Sequence, residues 1–460
     1  MAKEQSTSGV GRRLGVALVL VALLGAACGN SKSSDTKDAA ADGKTSTTAG
    51  GGGKDFVSLS GVPGVTDDAI NYAIIGTKAN NPLGTCILDC YKSGIDAYFA
   101  YRNSEGGIYG RQLTASKVLD DELSQNQVRA LEVTSGNDVF GDFNATLLAS
   151  GWGDLDKAGV PTYAWGINFA ESAGRDSIFM SIATSCGSCT GRAVPYAAKL
   201  VKAKKIATLG YGISENSKVC ASTNAQSIKM YSAETGQSVA YLNDNLAFGL
   251  PNGIAPEVTA MKKAGVEFIT TCIDLNGMKT LAQELDRQGM QDVVLYHPNT
   301  YNQGFVKAAG SIFEGDLVGV GFRPFEADGD STGLKNYLKW MKKQGSDLTE
   351  LAMVGWINAD EAYQGLKAAG PEFDRASVIA ATNKITAYSA DGLLNPIDWT
   401  RQHVPPTQDD PTTHGYKDEC FAPVKVVKGT FQTVAPKAKP FLCWSNANRD
   451  WAEPTPTDFK

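Results

Sequence analysis

Nine cysteines and three histidines are the residues of this chain best suited to covalent, redox or metal chemistry. Cys28 stands apart, at the end of an apolar N-terminal run. The other eight form an even set, as expected in an oxidising compartment. Their spacing suggests local pairs: Cys86 with Cys90, Cys186 with Cys189, Cys220 with Cys272, and Cys420 with Cys443. Eight cysteines allow 105 connectivities, so other pairings stay open. Cys186-Gly-Ser-Cys189 reads in two ways. It follows a strand-like run, Ser177 to Ala183, and opens a helix, which is the local setting of a redox motif. The surrounding chain does not follow a thioredoxin pattern, which favours a structural clip. The histidines are His297, His403 and His414. None has the spacing of a zinc-binding H-E-x-x-H, and there is no G-x-S-x-G elbow or phosphate-binding P-loop. His403, His414 and Cys420 are close in sequence, but Pro405, Pro406 and Pro411 make that stretch irregular. The expectation is a protein that binds rather than catalyses, without metal or cofactor.

Composition narrows the partners. The chain has 460 residues, 42% apolar and 20% charged, with a net charge of −6. This suits a globular protein of two or three domains. It argues against nucleic acid, since no Lys/Arg block offsets the negative balance. Arg12 and Arg13 precede the apolar run Leu14 to Ala27, the layout of an export signal. Leu24-Gly25-Ala26-Ala27-Cys28 resembles a bacterial lipobox with Gly25 where Leu is usual. It predicts a signal peptide over 1–27 and lipidation of Cys28; secretion with simple cleavage near Ala27 is the alternative. Loss of 1–27, which carries Lys3, Arg12 and Arg13 against Glu4, takes the net charge from −6 to about −8. Residues 29–55 are mostly Ser, Thr, Gly, Ala, Asp and Lys and cannot bury a core, so 28–66 is read as a flexible tether.

The elements that must position any site come next. From Ile70 the pattern alternates strand and helix, which argues for parallel sheets covered by helices. Strands are expected at 71–77, 113–119, 139–140, 160–164, 177–183, 205–210, 237–241, 266–272, 292–296 and 316–322. Helices are expected at 89–102, 124–134, 145–157, 189–203, 215–230, 255–264, 277–289, 299–310, 332–344, 356–369 and 374–384. Leu393 to Trp399, Phe421 to Val427 and Thr430 to Val434 read as short late strands. Val139 to Phe169 draws most interest. Gly141 to Asn144 reads as a turn, Ala145 to Lys157 as a helix and Val160 to Ala164 as a strand. Its two loops would emerge at strand C-terminal ends, where open α/β sheets bind ligands.

Four segments resemble type I periplasmic binding proteins of the leucine/isoleucine/valine group, which feed ABC importers. They are Tyr91 to Phe99 with the Glu105 to Gly110 turn; Val118 to Asp121 with Gln127 and Ala130; Ala158-Gly159-Val160-Pro161; and Gly392 to Trp399. The likeness runs from about Ile70 to Val434. It implies an α/β fold of two lobes, each a parallel sheet flanked by helices, with three interlobe crossings. Lobe 1 would comprise 67–188 and 317–388, and lobe 2 residues 189–316 and 389–460. It further implies a receptor that hands a small molecule to permease subunits; the lipobox agrees independently, and the expectation is a monomer lipid-anchored to the outer face of the cytoplasmic membrane.

The resemblance also implies ligand positions. Asn144, Ala145 and Thr146 stand where the family holds a ligand carboxylate, though Asn144 and Thr146 could simply cap a helix. Trp165 and Asn168 stand in the next contact loop, with a lobe-core role as the alternative for Trp165. Tyr211, Asp274, Tyr296 and Asn299 fall near contact positions of the second lobe. Amino-acid binders place an acid after the 292–296 strand to hold the ligand ammonium. Here the run is Tyr296-His297-Pro298-Asn299-Thr300-Tyr301, with no carboxylate, and an unpaired buried ammonium is costly. Asp274 or Glu215 could substitute. The expectation is therefore an apolar or aromatic solute, such as a carboxylic acid or amide. A true branched-chain amino-acid receptor and a tethered sensor of the same fold are the alternatives.

Overall fold

The computed structural model describes residues 55–180, 189–297, 301–328, 331–405 and 417–459. Two sheets organise them. The first contains β1 (Ala69–Gly76), β2 (Gln112–Asp120), β3 (Gly141–Ala145), β4 (Thr162–Ala164) and β5 (Ile178–Met180), in the order β2-β1-β3-β4-β5. All its pairings are parallel. β1, with the sequence AINYAIIG, is apolar along almost its whole length because helices cover both faces. Tyr72 and Ile74 face one helical layer, Ala73 and Ile75 the other.

The second sheet contains β6 (Lys205–Tyr211), β7 (Ser238–Leu246), β8 (Phe268–Cys272), β9 (Val294–His297), β10 (Leu317–Val320), β11 (Asp418–Val427), β12 (Thr430–Thr433), β13 (Phe441–Ser445) and β14 (Thr455–Thr457). Its order is β14-β13-β11-β10-β9-β8-β6-β7, with β12 beside β11. β6 to β10 pair in parallel, and the late strands add an antiparallel edge. The chain leaves the first sheet after Met180, returns after Val320 and leaves again before Asp418, giving the three expected crossings.

The returning helices complete the first lobe. Glu350–Ala369 lies against Leu88–Ser104 with the two backbones almost touching. A Cβ on Gly94 would sit 1.8 Å from the Ala352 carbonyl oxygen, and one on Gly355 would sit 2.0 Å from that of Tyr91. Only glycine permits this approach, and it draws Tyr91, Tyr98 and Trp356 into one buried layer.

Several sequence expectations are corrected. Gly141 to Asn144 is not a turn but most of β3, and the following helix is only Trp152–Lys157. Asp142 and Asn144 made the stretch look like a turn; in the strand, Asn144 donates to Asp142 at 2.9 Å. Leu317–Val320 hydrogen-bonds to β9 and β11, so this segment belongs to the second sheet rather than to lobe 1. Leu393 to Trp399 is not a strand but a series of turns entering the short helix Trp399–Gln402. That segment packs on the first lobe, not the second: Trp399 meets Phe179 at 5.2 Å and Gln402 donates to the Met180 carbonyl at 3.1 Å.

Three proposed disulfides are present, Cys86–Cys90, Cys220–Cys272 and Cys420–Cys443. The last joins directly opposed residues of β11 and β13. Cys189 is disulfide-bonded; Cys186, like the signal peptide, Cys28 and His414, lies outside the described residues. The end of the expected tether is not free. Arg111, fully buried, donates to the carbonyls of Thr66 at 2.6 Å and Val57 at 2.7 Å, and its guanidinium lies over Phe56. Residues 55–66 are thereby fastened to the first lobe.

Candidate functional site between the lobes

The C-terminal ends of the parallel strands converge where the two lobes meet. Leu83 and Thr85 follow β1, Trp165 follows β4, and Asp274 and Leu275 follow β8. With Glu350 and Leu351 at the start of the helix Glu350–Ala369, they line a cavity of about 20 Å3. That is room for about one water molecule, so an organic solute enters only when the lobes part.

The contacts that shut the cavity come from both sides. Asn216, in the helix Glu215–Met230, donates to Asn168 at 3.3 Å, and Asn168 donates in turn to the Thr146 carbonyl at 3.0 Å. Gly84, with φ near +68°, lies so close to Asn276 that a Cβ would meet its amide nitrogen at 2.1 Å. The Cys86–Cys90 bridge fastens the loop that carries Leu83 and Thr85 to the start of Leu88–Ser104.

Each acidic wall residue has a defined role. Asp274 is the N-cap of Leu275–Arg287, accepting the N–H groups of Asn276 and Gly277. It also accepts the hydroxyl proton of Tyr211. Cys220–Cys272 ties the end of β8, two residues earlier, to the helix Glu215–Met230. Glu350 follows its own helix cap, Thr349, whose hydroxyl accepts from Ala352 N–H at 3.1 Å. The residue keeps some exposed surface, but burial pushes its carboxyl up to about 8.

The structure sorts the residues expected from sequence. Trp165 and Asp274 line the cavity, and Tyr211 supports Asp274 from behind. Asn168 forms the cross-lobe bond. Thr146 ends the β3 loop with a buried hydroxyl that has no hydrogen-bond partner among the described residues. Asn144 and Ala145 are in β3, both fully buried; Asn144 sits beside Ile75 in the sheet and is bonded to Asp142. Tyr296 does not reach the cavity: it packs in the second lobe against Phe268, ring centres 6.2 Å apart. Asn299 lies outside the described residues. Of the two acids named as substitutes, Asp274 is in the wall and Glu215 is not. Thr85 and Glu350 were missed. Glu350 fell before the expected helix start at 356 and carried no signal.

A larger groove, about 1150 Å3, lies elsewhere on the first lobe. Val62, Gly159, Arg375, Trp399 and His403 line it, and Arg375 donates there to the carbonyls of Val139 and Phe140, just before β3. It sits at the opposite ends of the strands and is open to solvent. Hinge closure cannot enclose a ligand there, so the smaller interlobe cavity is the candidate site.

Two α/β lobes, three crossings and a closing cavity at the strand C-termini define a two-lobed binding protein. The chain belongs to the periplasmic binding protein family, whose model matches residues 87–411. Similar solved structures include a fatty acid ABC transporter substrate-binding protein from Thermomonospora curvata, 18% identical over 81% of this chain and 93% of that one, with a TM-score of 0.61. A solute-binding protein from R. palustris in complex with benzoate is 15% identical over 81% and 97%, TM-score 0.61. A branched-chain amino acid ABC transporter protein from Thermus thermophilus with bound valine is 14% identical over 83% and 97%, TM-score 0.61. At these identities the likeness establishes the type I fold. No curated protein sequence matches the chain.

Proposed function

We propose that the protein is the extracytoplasmic substrate-binding component of an ABC importer. It captures a small apolar or aromatic organic solute between its lobes, closes by hinge motion and presents it to a membrane permease. The observation that carries this reading is the cavity walled from both lobes by Trp165, Leu275, Leu351, Asp274 and Glu350. An apolar lining with few polar groups suits such a solute. Relatives of the same fold bind benzoate and valine, which supports the size class. Lipidation at Cys28, a monomeric state and a non-catalytic role complete the proposal. No helix among the described residues is long and apolar enough to cross a membrane, so the proposed attachment rests on the lipid.

The test is native mass spectrometry of the protein from Asp55 onward, purified without added solute, followed by denaturing mass analysis. A retained organic molecule released on denaturation supports the receptor. A protein that retains nothing and also shows no thermal shift across a metabolite panel overturns it in favour of a tethered module without a solute.

A further inference from the structure

The polar composition of the cavity wall is one-sided. Asp274 presents acceptor oxygens already fixed by Asn276 N–H, Gly277 N–H and the Tyr211 hydroxyl. Glu350 adds a second carboxyl on the opposite lobe. Trp165 adds an indole, and Leu83, Leu275 and Leu351 are apolar. Among the described residues, Thr85 is the single neutral hydroxyl of the lining, and neither Lys nor Arg is part of it. A ligand carboxylate would meet two carboxyls and no cation. A ligand ammonium would meet two acceptors and an aromatic ring of the kind that attracts cations.

We infer that the solute carries a protonated amine seated between Glu350 and Asp274 beside Trp165, with an apolar body, and that Glu350 is the residue that selects it. This rests on the reading of the interlobe cavity as the solute site. It replaces the carboxylic acid or amide expected from sequence. Glu350 is suited to the selection because it opens a helix of the first lobe and lines the cavity together with Asp274 and Leu275 of the second. The cavity that the carboxyl lines has walls from both lobes. An amine arriving there offsets the cost of enclosing that carboxyl, whereas an anion adds to it.

The experiment is isothermal titration calorimetry of the purified protein with matched pairs of equal shape: phenethylamine against phenylacetate, and isoamylamine against isovalerate. The amine of at least one pair is expected to bind about tenfold or more tightly than its carboxylate. Glu350→Gln is expected to remove that preference. The comparison on the unmodified protein stands even if the variant fails to fold. Carboxylates binding as tightly as amines, or amine affinity unchanged in Glu350→Gln, overturns the inference and leaves the solute receptor standing. Absence of binding by all four probes, together with an empty protein in the native mass measurement, overturns both.

Discussion

Asn216 reaches across the cleft to Asn168 at 3.3 Å, and the same Asn168 side chain holds the Thr146 carbonyl at 3.0 Å. One amide thus uses its oxygen for the second lobe and its nitrogen for the first. The bond exists only when the lobes are together, so it contributes to closure and not to the stability of either lobe alone. A neutral hydrogen bond of this kind is worth about 0.5–1.5 kcal/mol. Asn216→Ala is therefore expected to weaken solute binding by up to about tenfold with the unfolding midpoint almost unchanged. Calorimetry beside thermal melts checks it; equal losses in both would place Asn216 in the core of its lobe.

Trp165 is the aromatic residue of the cavity wall and is almost fully buried. Solute entry is expected to change its emission. Trp165→Phe is expected to abolish that change, although six other tryptophans of the seven remain. Titration followed by tryptophan fluorescence in both proteins reads this directly. A response that survives in Trp165→Phe would put the solute elsewhere.

Gly355 faces the Tyr91 carbonyl with no space for a methyl group. Gly355→Ala must push apart Leu88–Ser104 and Glu350–Ala369, at a cost of about 1–3 kcal/mol. Because Glu350 opens the second of these helices, the variant should also loosen binding. Urea denaturation gives the first effect and calorimetry the second.

His403 stacks on Trp399 and meets Phe179 edge-on, and burial pulls it down to about 4 against the opposing pull of Asp176 and Asp156. The folded protein thus prefers the neutral ring. Stability from this preference is complete above the ordinary histidine value near 6.5 and is lost as pH falls from there to about 4. The slope approaches 1.4 kcal/mol per pH unit. His403→Phe is expected to flatten the melting-temperature curve between pH 6.5 and 4, measured against the parent protein.

The fold was legible where local signals agreed with packing. The helices Glu215–Met230, Ala255–Ala264 and Thr332–Gln344 match their expected bounds. Their ends are marked by the Ser214 and Ser331 caps and by Gly265 and Gly345 in left-handed conformation. β3 was not legible, because Asp142 and Asn144 satisfy each other inside the sheet and no local rule announces such a pair. Leu393 to Trp399 is apolar for a different reason: it lies buried against the first lobe through turns, not in a ladder. Trp165 and Asp274 could be placed at strand ends because both follow strands that could be read. Glu350 was not, since its place in the wall depends on how a helix from late in the chain docks on one from the beginning.

Arg111 gives the molecule a fixed end. Its buried guanidinium grips the carbonyls of Val57 and Thr66, so tension arriving along the N-terminal chain passes into the first sheet. With the N-terminal attachment proposed above, the first lobe would be the stator and the second the swinging arm. A partner that registers closure would read the displacement of β6 to β14 against a stationary platform.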